Sequence, residues 1–191
     1  MISSALNFLL STLAGLLTLL FLLRFFMQLF KAPFRNPLGQ MVISLTDFAV
    51  KPVRKRMPSL GKIDLSTLLL AFLTQFLLQI CFLKLRGLPF SIEGHSAWPS
   101  LIGLSFIGVL RASLDLFFYA LLLQVILSWV NPHTPIADVL NNLTKPILAP
   151  IQRIIPSAGG IDFSPMVALI LIQMLNISVV KTLESQLQSI F

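Results

Sequence analysis

Four long apolar runs constrain this chain more than any other feature. They cover about residues 5–30, 65–83, 105–130 and 163–181, and each carries few charges. Apolar residues make up 56% of the sequence and charged residues only 11%, less than half the share in soluble domains. Runs of about 18 apolar residues or more are typical of membrane spans, and lipid forces their backbone into helices. We therefore predict an all-α membrane protein with four transmembrane helices.

A motif that occurs twice organises these runs. Residues 52–66 and 150–164 both contain Pro, a basic residue, Pro-Ser, Gly and Ile-Asp-apolar-Ser at one constant offset, and both lead into an apolar run. We predict two tandem copies, residues 1–90 and 91–191, each made of a span, an amphipathic helix and a second span. Two spans per copy give both copies the same orientation, which makes a parallel rather than an inverted repeat.

The net charge of +7 is placed unevenly along the chain. Basic residues concentrate between the first two runs, so the positive-inside rule predicts that loops 31–63 and 131–160 are cytoplasmic and both termini outside. We expect membrane lipids with anionic headgroups as partners and no nucleic acid, because no base-reading motif is present. The residues predicted to contact headgroups are Lys51, Arg54, Lys55, Arg56 and Arg153.

Both predicted cytoplasmic loops contain an amphipathic segment. Helical spacing joins Leu38, Met41, Val42, Leu45, Phe48 and Ala49 in the first, and Ile136, Val139, Leu140, Leu143 and Ile147 in the second. Pro37 and Pro135 are predicted to open these helices, and Pro52 and Pro150 to close them. The apolar faces either lie in the membrane interface or pack between the spans.

Two aspartates occupy equivalent positions just before apolar runs. Asp64 and Asp162 are predicted helix N-caps, because Asp is favoured there and suits the positive end of the helix dipole. The alternative is an ion-binding or proton-handling role. In that case they would line a path together with Gln75 and Gln173, which coincide under the repeat offset and are predicted to contact each other.

Charged residues within the spans allow a structural and a functional interpretation. Arg24 lies about 9 Å from the end of its run and is predicted to extend to the headgroups. Arg111 and Asp115 share a helix face and are predicted to form an ion pair near the outer boundary. The alternative for all three is a functional intramembrane charge.

Enzyme chemistry finds no support in the sequence. His95 and His133 fall on opposite sides of the predicted membrane, and the chain lacks HExxH, Walker A, GxGxxG and GxSxG motifs. We predict that the protein is not an enzyme and needs no cofactor or catalytic metal.

Several segments resemble the YggT family of bacterial inner-membrane proteins, whose relatives include the YlmG proteins. They are Leu-Arg-Phe-Phe-Met-Gln-Leu-Phe at 23–30, Asn36-Pro37, Lys51-Pro52-Val53-Arg54, Ser128-Trp129 and the 150–165 run. The chain departs from the family with Leu65-Ser66-Thr67 in place of Phe-Ser-Pro, and with Gln124 in place of Arg. The resemblance implies a multi-pass protein of the bacterial inner (plasma) membrane. It supplies no catalytic or binding residues.

The same resemblance implies roles in osmotic-shock tolerance and potassium homeostasis, and for the YlmG branch in division and membrane-complex assembly. Our leading hypothesis is a non-catalytic plasma-membrane protein that supports osmotic or extracytoplasmic stress tolerance by organising lipid or membrane partners. A homo-oligomer is one form this could take. The alternatives are potassium transport or its regulation, and an assembly factor for a division or respiratory complex.

Overall fold

A computed structural model describes residues 2–57, 61, 63–87, 91–92, 95–131, 134–155 and 162–188. Its helices are α1 (Ile2–Leu29), α2 (Pro37–Arg56), α3 (Leu65–Leu85), α4 (Trp98–Val130), α5 (Ala137–Ile154), α6 (Ser164–Leu175) and α7 (Lys181–Gln188). One π-helical turn, Asn176–Val180, joins α6 to α7. Two short strands, β1 (Ser91–Ile92) and β2 (His95–Ser96), pair antiparallel between α3 and α4.

Four stretches are long and apolar enough to cross a membrane: Ser4–Leu29, Leu65–Leu85, Trp98–Val130 and Ser164–Leu187. The prediction of a multi-pass α-helical membrane protein with four spans is thereby confirmed. α4, with 33 residues, is about 50 Å long, whereas a hydrocarbon core is about 30 Å thick. α4 is therefore longer than the hydrocarbon core is thick.

α4 is the helix around which the spans assemble. α1, α3 and α4 pack on one another, while α6 and α7 pack on α4. One buried cluster joins Phe21 and Leu22 of α1 to Ala71 of α3 and Leu116 of α4. A second cluster joins Leu121 of α4 to α5 and α6. The tandem-repeat interpretation stays a prediction.

The amphipathic helices α2 and α5 lie against the spans at one end of the molecule, which we call the α2/α5 end. α5 packs on α4 and α6, and its apolar face is buried through Val139, Leu140, Leu143 and Leu148. For α5, packing against the spans is therefore the correct alternative.

α2 differs because it carries apolar residues on two faces. Gly39, Val42, Thr46 and Val50 are buried against the spans. The other face stays open, and we call it the exposed stripe of α2: Met41 (48% exposed), Leu45 (48%) and Phe48 (70%). Only part of the predicted apolar face is therefore used for packing.

The prolines of these helices act partly as predicted. α2 begins at Pro37, but Pro52 and Pro150 do not close α2 and α5, and both helices continue past them. A proline so near the end of a helix removes only one backbone donor. The helical bonding resumes immediately, with the Met57 N–H donating to the Val53 carbonyl at 2.9 Å.

Candidate functional site

Asp64 lies at the start of α3, where it holds two helices together. Its carboxylate accepts a hydrogen bond from the Ser66 backbone N–H at 3.2 Å, so the predicted N-cap is confirmed. The fully buried carboxylate also forms an ion pair with Arg54 of α2, and Arg54 donates to Gln28 Oε1 at 3.2 Å. Asp64 is thus a buried and neutralised link between α2 and α3.

Asp162 makes the equivalent contacts without a charged partner. Its carboxylate accepts from the Ser164 N–H at 2.9 Å and from Gln152 Nε2 at 2.8 Å. Ser164, through its side chain and its backbone N–H, and then Gln152 hold the pKa of Asp162 below its ordinary value. The predicted capping contact is present here too, on an exposed residue.

Arg24 is buried beneath α2 and does not extend to the headgroups. Its Nη1 donates to Thr46 Oγ1 at 2.6 Å and to Asp47 Oδ1 at 2.9 Å, and its side chain is 8% exposed. The headgroup prediction was wrong because α2 covers this face of α1 and supplies a counter-charge. Asp47 also accepts from Lys51 at 2.8 Å. That hydrogen bond is the main cause, with Arg24 adding to it, of an Asp47 pKa below the ordinary value.

Gln124 links α4 to α5 in the way that Arg24 links α1 to α2. Its Oε1 accepts from Thr144 Oγ1 at 2.6 Å, and its Nε2 donates to Asn141 Oδ1 at 2.8 Å. An amide here replaces the guanidinium of Arg24. Sequence reasoning missed Asp47, although a buried arginine needs a nearby carboxylate and Asp47 is the only acidic residue of α2.

A polar cavity of about 490 Å³ lies between α1, α3, α4 and α7. Apolar residues such as Leu78 and Leu104 form part of its wall. Its polar lining consists of Ser11, Gln75, Gln79, Arg86, Arg111, Asp115, Tyr119 and Glu184. Neither Asp64 nor Asp162 lines it, so the two capping carboxylates do not share this space with the intramembrane polar residues.

Arg111 and Asp115 line this polar cavity but do not pair with each other. Arg111 Nη1 contacts both carboxylate oxygens of Glu184, at 3.0 and 2.9 Å. Asp115 Oδ1 accepts from Asn176 Nδ2 at 2.8 Å, and Asp115 forms no ion pair among the described residues. The predicted Arg111–Asp115 pair was wrong because α7 and the π turn supply other partners.

Arg111 also lies deeper than predicted. Gln75 stands midway along α3, and its Oε1 is so close to Gly108 that a Cβ there would lie 2.6 Å from it. Arg111 follows Gly108 by about 4.5 Å along α4, so it lies close to the level of the midpoint of α3 rather than near the outer end of a span. The prediction measured depth from Val130, but α4 is about 20 Å longer than a hydrocarbon core, so the distance from its last residue does not measure depth.

The π turn brings two polar residues to the cavity side of the last span. In a regular α-helix, the separation between Asn176 and Glu184 along the chain would place them about 80° apart around the helix axis. A π turn takes up one extra residue, which reduces this angle to about 20°. Asn176 and Glu184 therefore both face α4. Sequence periodicity could not have found Glu184, because the π turn shifts the helical register.

The two glutamines predicted to meet are apart. Gln75 is buried, and its Nε2 donates to Thr18 Oγ1 of α1 at 3.1 Å. Gln173 lies on α6, and its side chain makes no hydrogen bond within the described part of the chain. The predicted Gln75–Gln173 contact was wrong because α6 packs on α4 rather than on α3.

The predicted headgroup residues do not all remain available. Arg54 is held by Asp64, with 39% of its side chain exposed. Lys51 bonds Asp47 but stays 73% exposed. Lys55, Arg56 and Arg153 are exposed, so the α2/α5 end keeps a basic surface beside the exposed stripe of α2.

Comparison with known proteins identifies the relatives of this chain. The family model described as CCB3/YggT matches residues 3–85 and 104–183. The chain belongs to the CCB3/YggT family. The protein YggT of Escherichia coli strain K12 is 38% identical over 95% of this chain and 93% of its own length. An uncharacterised protein of Pseudomonas aeruginosa is 37% identical, with coverages of 95% and 91%. No solved structure matches.

Metal-ligating side chains do not cluster within the described residues of this CCB3/YggT protein. Within residues 2–57, 61, 63–87, 91–92, 95–131, 134–155 and 162–188, no three His, Cys, Asp or Glu side chains converge. His133, and the motif residues Pro58, Pro156, Gly159 and Ile161, lie outside the described residues.

Proposed function

We propose that this protein is a non-catalytic plasma-membrane protein that binds anionic lipid at a cytoplasmic α2/α5 end. Through that lipid, or through membrane proteins held with it, the protein supports tolerance of osmotic and extracytoplasmic stress. One observation carries the proposal: the exposed stripe of α2 lies beside exposed lysines on a helix whose other face is fixed to the spans.

The physical reasoning follows from the chemistry of the membrane interface. Apolar side chains on the exposed stripe of α2 insert at the boundary between headgroups and acyl chains. Lys51 and Lys55, on the same helix, then stand at headgroup level, where each basic residue contributes about 1 kcal/mol toward anionic lipid. Because α2 is anchored through Arg24 and Arg54, lipid bound to α2 is coupled to the spans.

Removing the exposed charges should weaken binding of anionic lipid. Combining Lys51→Gln, Lys55→Gln and Arg56→Gln should lower phosphatidylglycerol affinity at least about tenfold, and the loss should shrink at high salt. Native mass spectrometry of the purified protein can count the retained lipid. Phosphatidylcholine serves as the comparison lipid.

A matched control uses a lysine elsewhere on the chain. Lys181→Gln removes an exposed charge on α7 and should leave lipid binding unchanged, whereas Lys55→Gln should reduce it. In cells, the triple variant should lose growth after osmotic shock at normal protein levels. Unchanged lipid retention in the triple variant would refute the proposal.

A second candidate function, ion transport or its regulation, is favoured by the polar cavity. Asp115 is a carboxylate within the third span with no basic partner among the described residues, and intramembrane charges are functional candidates by default. Because Asp115 lines the polar cavity, a cation there could neutralise its carboxylate.

Flux measurements separate the two candidates. The lipid proposal expects potassium flux through liposomes containing the purified protein to equal that of empty liposomes. The ion candidate would replace the lipid proposal if the protein conducts potassium, Asp115→Asn abolishes this flux, and Asp138→Asn on α5 leaves it intact. Both substitutions remove one carboxylate, but only Asp115 lines the polar cavity.

A further inference from the structure

We propose that a cleft on α2 holds the phosphate group of an anionic phospholipid headgroup. The cleft has a volume of about 370 Å³ and is lined by Lys51, Pro52, Arg54 and Lys55, and we call it the α2 cleft. This assignment rests on the proposed lipid function and deepens it. A defined site for one chemical group takes the place of a general attraction between a basic surface and anionic lipid.

The three cations of the α2 cleft converge because of their positions on the helix. Lys51, Arg54 and Lys55 lie within about 100° around the axis of α2 and within about 6 Å along it. Both lysines are exposed, and the Arg54 side chain is 39% exposed, so all three cations can reach a ligand in the cleft. Arg56 follows Lys55 directly, but it is turned about 100° away from Lys55 and does not line the cleft.

Ion pairs hold two of these cations in place. Lys51 bonds Asp47, which also bonds Arg24, and Arg54 bonds the buried Asp64. The cations of the α2 cleft and Arg24 together outnumber these two carboxylates by two. An ammonium has three N–H donors and a guanidinium five, so Lys51 and Arg54 can keep their carboxylates and also donate to a phosphate oxygen. The α2 cleft therefore offers an anion charge-assisted hydrogen bonds from side chains that are already ordered.

The exposed stripe of α2 identifies a lipid, rather than free phosphate, as the source of the phosphate group. Leu45, Phe48, Pro52 and Lys55 are separated by three, four and three positions, so the stripe and the cleft follow one another on one face of α2. Lys51 and Lys55 stand only about 4.5 and 10.5 Å along the axis beyond Phe48, which is 70% exposed. Acyl chains against the stripe bring the phosphate of the same molecule to the cleft. Inorganic phosphate gains nothing from these apolar residues.

Two neighbouring residues of α2 provide the decisive comparison. Lys55→Gln should lower the retention of phosphatidylglycerol by the purified full-length protein about tenfold, because a charge-assisted hydrogen bond is lost. Arg56→Gln removes the same charge from an exposed position outside the cleft and should lower the retention about twofold or less. Native mass spectrometry counts the bound lipid, and an unchanged unfolding midpoint in detergent shows that both variants fold. Equal effects of the two substitutions would overturn the α2 cleft.

The phosphate group itself is tested with a lipid that lacks it. Dioleoylglycerol succinate has the acyl chains of dioleoyl phosphatidylglycerol and a carboxylate in place of the phosphate. Wild type should retain phosphatidylglycerol at least about threefold better, because the tetrahedral oxygens of a phosphate can meet donors from three directions. Lys55→Gln should abolish this preference, and inorganic phosphate at the concentration of the lipid should not displace it. Equal retention of the two lipids by wild type, or displacement by inorganic phosphate, would contradict the assignment.

The measurements separate a failure of the α2 cleft from a failure of the lipid function. Unchanged lipid retention after Lys51→Gln, Lys55→Gln and Arg56→Gln are combined would refute both. If the triple variant loses lipid, but Lys55 and Arg56 contribute equally to the loss, only the α2 cleft is refuted. Anionic lipid would then be held by the general basic surface of the α2/α5 end.

Discussion

Replacing Arg54 with methionine is expected to destabilise the protein by about 3 kcal/mol, because it leaves the fully buried Asp64 carboxylate without a counter-charge. The loss is placed at the lower end of the range for buried pairs, since 39% of the Arg54 side chain is exposed. Denaturant titration of the purified protein in detergent, followed by helical circular dichroism, measures the free energy of unfolding.

The chain contains its own control for this substitution. Gln152 donates to Asp162 as Arg54 does to Asp64, but both residues are exposed, so Gln152→Ala should cost about 1 kcal/mol or less. Adding Asp64→Asn to Arg54→Met should restore part of the stability, because Asn also caps helices and carries no charge. Equal losses of unfolding free energy from Arg54→Met and Gln152→Ala would show that the buried ion pair contributes no more stability than the exposed contact.

Asp47→Ala is expected to cost a further comparable amount, about 3 kcal/mol, because Arg24 would remain charged and 92% covered beneath α2 with only the Thr46 hydroxyl as a partner. The side chain of Lys51 is 73% exposed, so Lys51→Ala should change stability by about 0.5 kcal/mol or less. The unfolding free energy in detergent separates the two variants.

Two further results would establish that charge burial causes this loss. Arg24→Gln combined with Asp47→Ala should recover stability, since Gln124 already performs the neutral version of this contact with Thr144. The Asp47 pKa is lowered in the folded state, so its contribution is present above the unfolded pKa and is lost as the pH falls through the folded pKa. The gap between wild type and Asp47→Ala should therefore narrow in acid. A gap that is constant with pH would contradict this explanation.

The two copies of the predicted repeat diverge at the positions where charge is buried. Arg24 with Thr46 and Asp47 becomes Gln124 with Thr144, where Lys145 takes the place of Asp47. Arg54 with Asp64 becomes Gln152 with Asp162. The charged versions occur in the half that contains α2, whose exposed stripe and lysines form the proposed lipid surface. Strong attachment of α2 to α1 and α3 suits a helix that transmits lipid binding to the spans.

Much of the fold was predictable from sequence patterns whose physical cause is local. The apolar runs predicted four spans, because only a helix satisfies its own backbone in lipid. Asp64 was predicted as a cap because the contact with the Ser66 N–H is made within two residues. The apolar face of α5 was also predictable from helical spacing. Each of these three features depends only on residues that lie close together in the sequence.

What only the tertiary structure decided was the partner of each intramembrane polar group. Arg24 bonds Asp47, Arg111 bonds Glu184, and Gln75 bonds Thr18, and every one of these contacts joins different helices. Sequence spacing determines which residues share a helix face, but it does not determine which helix packs against that face, nor the register shift of a π turn. The sequence by itself therefore determined the number and apolar character of the spans. The packing of α2, α4 and α7 decided where their charges lie, because opposite charges in lipid are stable only where the packed helices bring them together.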